Sequence, residues 1–177
     1  MAIGPQPGNL DESLVCRPFL NYQVIIVSGP EHPLAGGHAS AQQLRDQTWL
    51  LGPSAAAKHG VIPAILRRMN VSEERQRIFQ SHAAALEEVK RNHGLAPTVS
   101  FAVTQDLASG RLVRVGGQSL QFGGAWNTVT LVERGAPSAA AELVRFVATP
   151  RATQAMLRGP GVRVGRFRPA IHVTLWS

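Results

Sequence analysis

Two short segments place polar chemistry where a strand hands over to a helix. Gly52-Pro53-Ser54-Ala55 follows the apolar run Thr48-Trp49-Leu50-Leu51, and Ser81-His82 follows Arg77-Ile78-Phe79-Gln80. Each sets a hydroxyl and the free backbone N–H groups of a first helical turn at the carboxyl end of a strand. Those N–H groups and the positive end of the helix dipole attract a carboxylate or a phosphate. Open α/β sheets bind ligands along that edge. Ser54 and Ser81 therefore read either as N-caps or as anion contacts, and His82 either as a further hydrogen-bond donor to the same anion or as a ring in solvent.

Other chemistry finds little purchase. The histidines stand at 32, 38, 59, 82, 93 and 172, and no pair has the i, i+4 spacing of two ligands on one helix face. Cys16 is the single cysteine, so no internal disulfide forms, and it follows Leu14-Val15 as a small apolar residue rather than a nucleophile. Gly52-Pro53-Ser54 lacks the second glycine of a nucleophile elbow. The glycines of Gly159-Pro160-Gly161-Val162-Arg163-Val164-Gly165 have the wrong spacing for a dinucleotide fingerprint, and there is no P-loop. Glu73-Glu74 and Glu87-Glu88 fall on expected helix surfaces, away from any general acid–base pairing. The expectation is a binding protein, not an enzyme, with no metal and no cofactor.

The elements that hold the two segments follow from periodicity. Val24-Ile25-Ile26-Val27, ended by Ser28-Gly29-Pro30, is a continuous apolar run of the kind buried on both faces in a parallel or mixed sheet. A short helix is expected over 41–46 with Ser40 as cap, a strand over 48–51, and a helix over 55–70 with Ser54 as cap, weakened by Gly60 and Pro63. A strand over 77–80 leads to a helix capped by Ser81 and ended by Asn92-His93-Gly94. Beyond it come a strand over 99–103, a short helix capped by Thr104 that stops at Gly110, and a strand over 112–115. A glycine-rich loop is expected over 116–124 and a strand over 127–132. Helices opened by Pro137-Ser138 and Thr149-Pro150 follow, then a strand-like tail over 171–176. Strands alternating with helices make an α/β fold. Ile3-Gly4-Pro5 reads as the end of a strand with nothing before it, which raises the expectation of a truncated N-terminus.

At 177 residues and 44% hydrophobic the chain has material for a full core. No apolar run reaches the ~18 residues of a membrane helix, and the N-terminus has no export signal, so the expected location is the cytoplasm and no membrane partner is expected. Of the net charge of +7, all is carried beyond residue 110, where nine arginines face Glu133 and Glu142. That field favours an anionic ligand, a nucleic acid or an acidic partner, or else is a solvated arginine-rich surface.

Taken together, Ala2-Ile3-Gly4, Leu14-Val15-Cys16-Arg17-Pro18-Phe19, Val24-Ile25-Ile26-Val27 and His32-Pro33-Leu34-Ala35 resemble the effector-binding domain of LysR-type transcriptional regulators. The resemblance continues through Leu44-Arg45-Asp46-Gln47-Thr48-Trp49-Leu50-Leu51, the helix at 83–94, Leu107-Ala108-Ser109-Gly110-Arg111-Leu112-Val113 and Ala140-Ala141-Glu142-Leu143-Val144-Arg145-Phe146. It implies a fold like the type II periplasmic binding proteins, two α/β lobes joined by two crossover strands. Residues 25–120 would form the second lobe, and 1–24 with 121–177 the remainder of a first lobe incomplete at its N-terminus. It implies a small organic, anionic effector between the lobes, self-association as dimers or tetramers, and DNA reading only through a winged helix-turn-helix that this chain lacks. By position, the effector contacts it implies are Gly52, Pro53, Ser54 and Ala55, then Ser81 and His82 with Phe101 nearby, and Gly4 and Pro5 from the first lobe. Three other readings stand beside it: a solute-binding protein of a transport system with the same fold, an enzyme on that fold, and a remnant with no function of its own.

Overall fold

The computed structural model describes residues 1–5, 9–58, 60–117, 122–132 and 139–158. Its centre is a long strand, β2 (Leu14–Ser28), whose apolar end is the run singled out above. β7 (Phe122–Leu131) lies antiparallel along one edge of β2, and β1 (Ala2–Pro5) pairs with the other edge of β7. Further along β2, β6 (Val113–Val115) continues on the β7 side, while β5 (Ala96–Val99) takes the opposite edge. All these pairings are antiparallel. A separate parallel pair, β3 (Trp49–Leu51) and β4 (Gln76–Ile78), joins the rest through Leu95, which exchanges backbone hydrogen bonds with Leu50 and Thr48.

The continuous apolar run is explained by what covers it. Val24 and Ile26 face one core with Trp49, Leu51 and Leu95. That core is closed by Leu44 of α1 (Ala41–Arg45) and by Ile65 and Leu66 of α2 (Val61–Arg68). Ile25 and Val27 point the other way, with Leu50, into a core closed by Ala85, Leu86 and Val89 of α3 (His82–Lys90). Strand side chains alternate between faces, so helices on both sides demand apolar residues at every position. Burying one such side chain contributes about 1.5–3 kcal/mol. α4 (Thr104–Ala108), α5 (Ala139–Val147) and α6 (Pro150–Arg158) complete the described helices.

Several local expectations hold. Ser40 caps α1 in a reciprocal capping box with Gln43, Ser81 caps α3 through the Ala84 N–H, and Thr149 accepts from the Ala152 N–H ahead of α6.

Others are corrected. The expected single helix over 55–70 is a 3-10 segment (Pro53–Ala56), a break, and then α2. Gly60, at φ +130, makes that break in a region that side-chain-bearing residues rarely adopt. Ser54 is consequently no cap: it lies inside the 3-10 segment, whose N-cap is Gly52. The strand expected over 99–103 is β5, three residues earlier, and Ser100–Val103 is 3-10. Thr104 donates its hydroxyl to the Phe101 carbonyl instead of capping. Gly123 and Gly124 belong to β7, opposite Gln23 and Tyr22, and not to a loop. Cys16 is half-buried on β2, opposite Val129. The cap expected at Pro137-Ser138 and the strand over 171–176 lie outside the described residues.

Candidate functional site

The end of β3 and the start of α3 meet at Gly52. A Cβ placed on Gly52 would stand 3.2–3.3 Å from the Cα, Cβ and N atoms of His82. The turn after β3 and the first turn of α3 are therefore in van der Waals contact, and the two strand-to-helix segments form one locality. β3 and β4 are parallel neighbours in register, Leu51 opposite Ile78, so their carboxyl ends open on the same side. The Phe79 N–H donates to the Leu51 carbonyl at 2.8 Å and fixes the exit of β4 beside that of β3.

Ser81 has extended backbone (φ −144, ψ 153), and its Oγ accepts from the Ala84 N–H at 3.1 Å. The N–H groups of His82 and Ala83 have no intrahelical acceptor, as in the first turn of any helix. They and the Ser81 hydroxyl proton are available to an anion. At the other end of α3 an ion-pair cluster fixes the helix: Lys90 bridges Glu87 (2.8 Å) and Asp106 (3.2 Å), and Arg111 reaches Asp106 at 2.7 Å.

His82 is the side chain that ties the site to the sheet. Its Nε2 lies 3.0 Å from Oγ1 of Thr98, a residue of β5 that is 2% exposed. His82 keeps contact with solvent, yet protein packed around the ring lowers its pKa below the ordinary histidine value through burial alone. Among the described residues no acid pairs with it.

The positions expected in the sequence are thus only partly assembled. Gly52 and His82 touch, and Pro53, Ser54 and Ala55 follow Gly52 in the 3-10 segment, with Ser54 exposed. Phe101 is half-buried in the 3-10 segment three residues after Thr98. Gly4 and Pro5 lie on β1, opposite Asn127 and Trp126, and nothing crowds the space where a Gly4 side chain would be. Thr98 was not among the expected positions. A threonine in an otherwise apolar strand is a signal, but with the strand expected to begin at Val99 it fell outside the element.

A neighbouring groove of about 350 Å³ is lined by Ala55, Lys58, Leu66, Arg67, Asn70 and Glu73 among others. It includes none of Ser54, Ser81 and His82. Among the described residues no group of three His, Cys, Asp or Glu side chains comes together as a metal site. No helix among them is long and apolar enough to cross a membrane.

Comparison with known proteins adds three findings. The family profile described as LysR substrate binding domain matches residues 1–150. An uncharacterized HTH-type transcriptional regulator of Mycobacterium tuberculosis (strain ATCC 25618 / H37Rv), Rv0377, is 50% identical over 180 residues. That alignment covers 100% of this chain and 56% of the relative, so the chain spans little more than half the length of the curated relatives it matches. Among solved structures, the regulatory domain of a double cysteine-to-serine mutant of MetR, a LysR family regulator from N. meningitidis, superposes with a TM-score of 0.68 at 18% identity, covering 89% of this chain and 72% of that one. The Synechocystis PCC6803 CcmR regulatory domain in complex with 2-PG gives 0.66 at 16% identity over 82% and 70%. The effector binding domain of QuiR in complex with shikimate gives 0.65 at 14% identity over 86% and 71%.

Proposed function

The chain belongs to the LysR substrate-binding-domain family, with the type II periplasmic-binding-protein-like fold of its structural neighbours, and from that premise we propose that it is the effector-sensing part of a transcription regulator, binding a small organic anion. The observation that carries the ligand class is the contact of Gly52 with His82, which brings the Ser54 turn and the Ser81 helix start together at the carboxyl ends of two parallel strands. On this reading Gly52, Pro53, Ser54, Ala55, Ser81 and His82 line the second lobe (25–120). Phe101 stands at its margin, and Gly4 and Pro5 approach from the first (1–24 with 121–177). β2 and β7 are the crossover strands, and ligand closing the lobes is a population shift between two arrangements.

Two of the structural neighbours were solved with 2-PG and with shikimate, which supports a small acidic metabolite as the ligand class. Pairing into dimers or tetramers, a cytoplasmic location and DNA contact through another part of a longer protein complete the proposal. The transport alternative on the same fold draws no support from relatives that are HTH-type regulators.

The test is a thermal-shift screen of the chain against a panel of carboxylates and phosphorylated acids. A ligand at 100 times its Kd stabilises by about 2.7 kcal/mol, a shift of several degrees. Binding confined to cations or neutral solutes would overturn the proposed ligand class.

A further inference from the structure

We infer that His82 is the proton-linked residue of this site: an anion bound between the Ser54 turn and the start of α3 is met by an imidazolium that forms as the ligand arrives. The inference rests on the anion-binding reading above and assigns the site a dependence on proton concentration.

The geometry of the His82–Thr98 pair carries it. A hydroxyl both donates and accepts, whereas a neutral ring nitrogen does one or the other according to tautomer. With Nε2 bare, the Thr98 hydroxyl donates to it across the 3.0 Å; with Nε2 protonated, the same hydroxyl turns and accepts. Nε2 is satisfied in both charge states without movement of the ring, although Thr98 itself is buried. Nδ1 has no hydrogen-bond partner among the described residues and is the nitrogen left for a ligand, and His82 as a residue is exposed.

The surroundings leave the charge to be set by the ligand. Of the elements packed on the start of α3, the β2 end (Val24 to Ser28), β3, the Pro53–Ala56 segment, β5 and the Ser100–Val103 segment contain no titratable side chain. Arg77 on β4, five residues back along the chain, is the nearest cation in sequence, and Glu87 and Glu88 stand more than one turn further along α3. Burial holds the unliganded ring toward the neutral form. An anion within ~4–6 Å reverses that preference, and the N–H groups of the first helical turn hold the anion there whatever the ring's charge.

The experiment is an NMR pH titration of the His82 ring in the 177-residue chain, alone and with sulfate or shikimate, neither of which titrates between pH 5.5 and 8. The ring signal is assigned with His82→Asn. The expected result is a pKa below the ordinary histidine value in the free chain, raised by about one unit or more with a bound anion. That shift equals a roughly tenfold stronger affinity at acid than at alkaline pH. His82→Asn should bind more weakly and without that pH dependence. An anion that shifts the Ser54 and Ser81 amide signals but leaves the His82 pKa unmoved sinks this inference and leaves the site reading intact. If neither anion moves those amides at any pH, the site reading fails and the inference with it.

Discussion

The indole N–H of Trp49 donates to the Leu44 carbonyl at 3.0 Å, and both side chains are fully buried. The bond runs from the first residue of β3 to the last turn of α1 and fixes the strand that delivers Gly52 to the site. Trp49→Phe removes the bond and part of the ring volume. The Leu44 carbonyl keeps a second, longer bond from the Gln47 N–H at 3.3 Å, so it is not orphaned. A loss of about 2 kcal/mol is expected, read as a lower urea midpoint at unchanged slope.

Ser54 and Ser81 separate capping from binding. Ser81→Ala removes a cap and should cost about 1 kcal/mol of stability, besides weakening any anion held at α3. Ser54 makes no capping bond in its 3-10 segment, so Ser54→Ala should leave the denaturation midpoint alone and weaken the same anion. Denaturation curves and ligand-induced Tm shifts on the two variants check this. Equal destabilisation by both would contradict the structure at Ser54.

Gly94 admits no side chain. Its φ is +156, and a methyl there would press into the carbonyl oxygen of Thr48, which is held by the Leu95 N–H at 2.9 Å. Backbone cannot yield there without breaking the link between β3 and the large sheet. Gly94→Ala should cost about 3 kcal/mol or more, measured as lost midpoint or lost soluble yield.

Stability should fall on mild acidification. His32 is buried, its Nδ1 accepts the Leu34 N–H at 3.2 Å, and burial lowers its pKa, as it does for His82. A histidine with depressed native pKa is protonated first in the unfolded chain, from about pH 6.5 downward. The unfolded state then binds more protons than the native state, and stability is lost as pH falls through that window to the native pKa values. Glu88 has its pKa lowered, first by its hydrogen bond with His93, and stays out of this window. Tm measured at half-unit steps from pH 7.5 to 5 should decline below about 6.5, and His32→Asn should flatten the decline.

What the sequence made legible were features whose causes are local. The run Val24 to Val27, the caps Ser40, Ser81 and Thr149, and the end of α3 ahead of Asn92-His93-Gly94 each depend on neighbours a few residues away. The first half of β2 and the glycines of β7 were illegible because their partners are about a hundred residues distant. Arg17, Pro18 and Asn21 break any local strand pattern and are held by pairing with β7, reinforced at Arg17 by the Thr128 hydroxyl donating to its carbonyl. At the site, Gly52 and the Ser81-His82 step were readable as strand exits. Thr98 was missed because the strand is expected over 99–103, whereas β5 pairs Pro97 and Thr98 with Ile26 and Ile25.

The pairing of β2 with β7 also sets a schedule for the newborn chain. Val24 finds Phe122, and Leu14 finds Leu131, across about a hundred residues. At ~5–20 residues per second of synthesis, β2 leaves the ribosome roughly 5–20 s before β7 exists. For that interval the edge of β2 from Leu14 to Val24 has no mate, while its apolar end waits only for β5 and β6. A holding chaperone, or a helper that shields strand edges, has its window of need there, and the need closes when Phe122–Leu131 emerges.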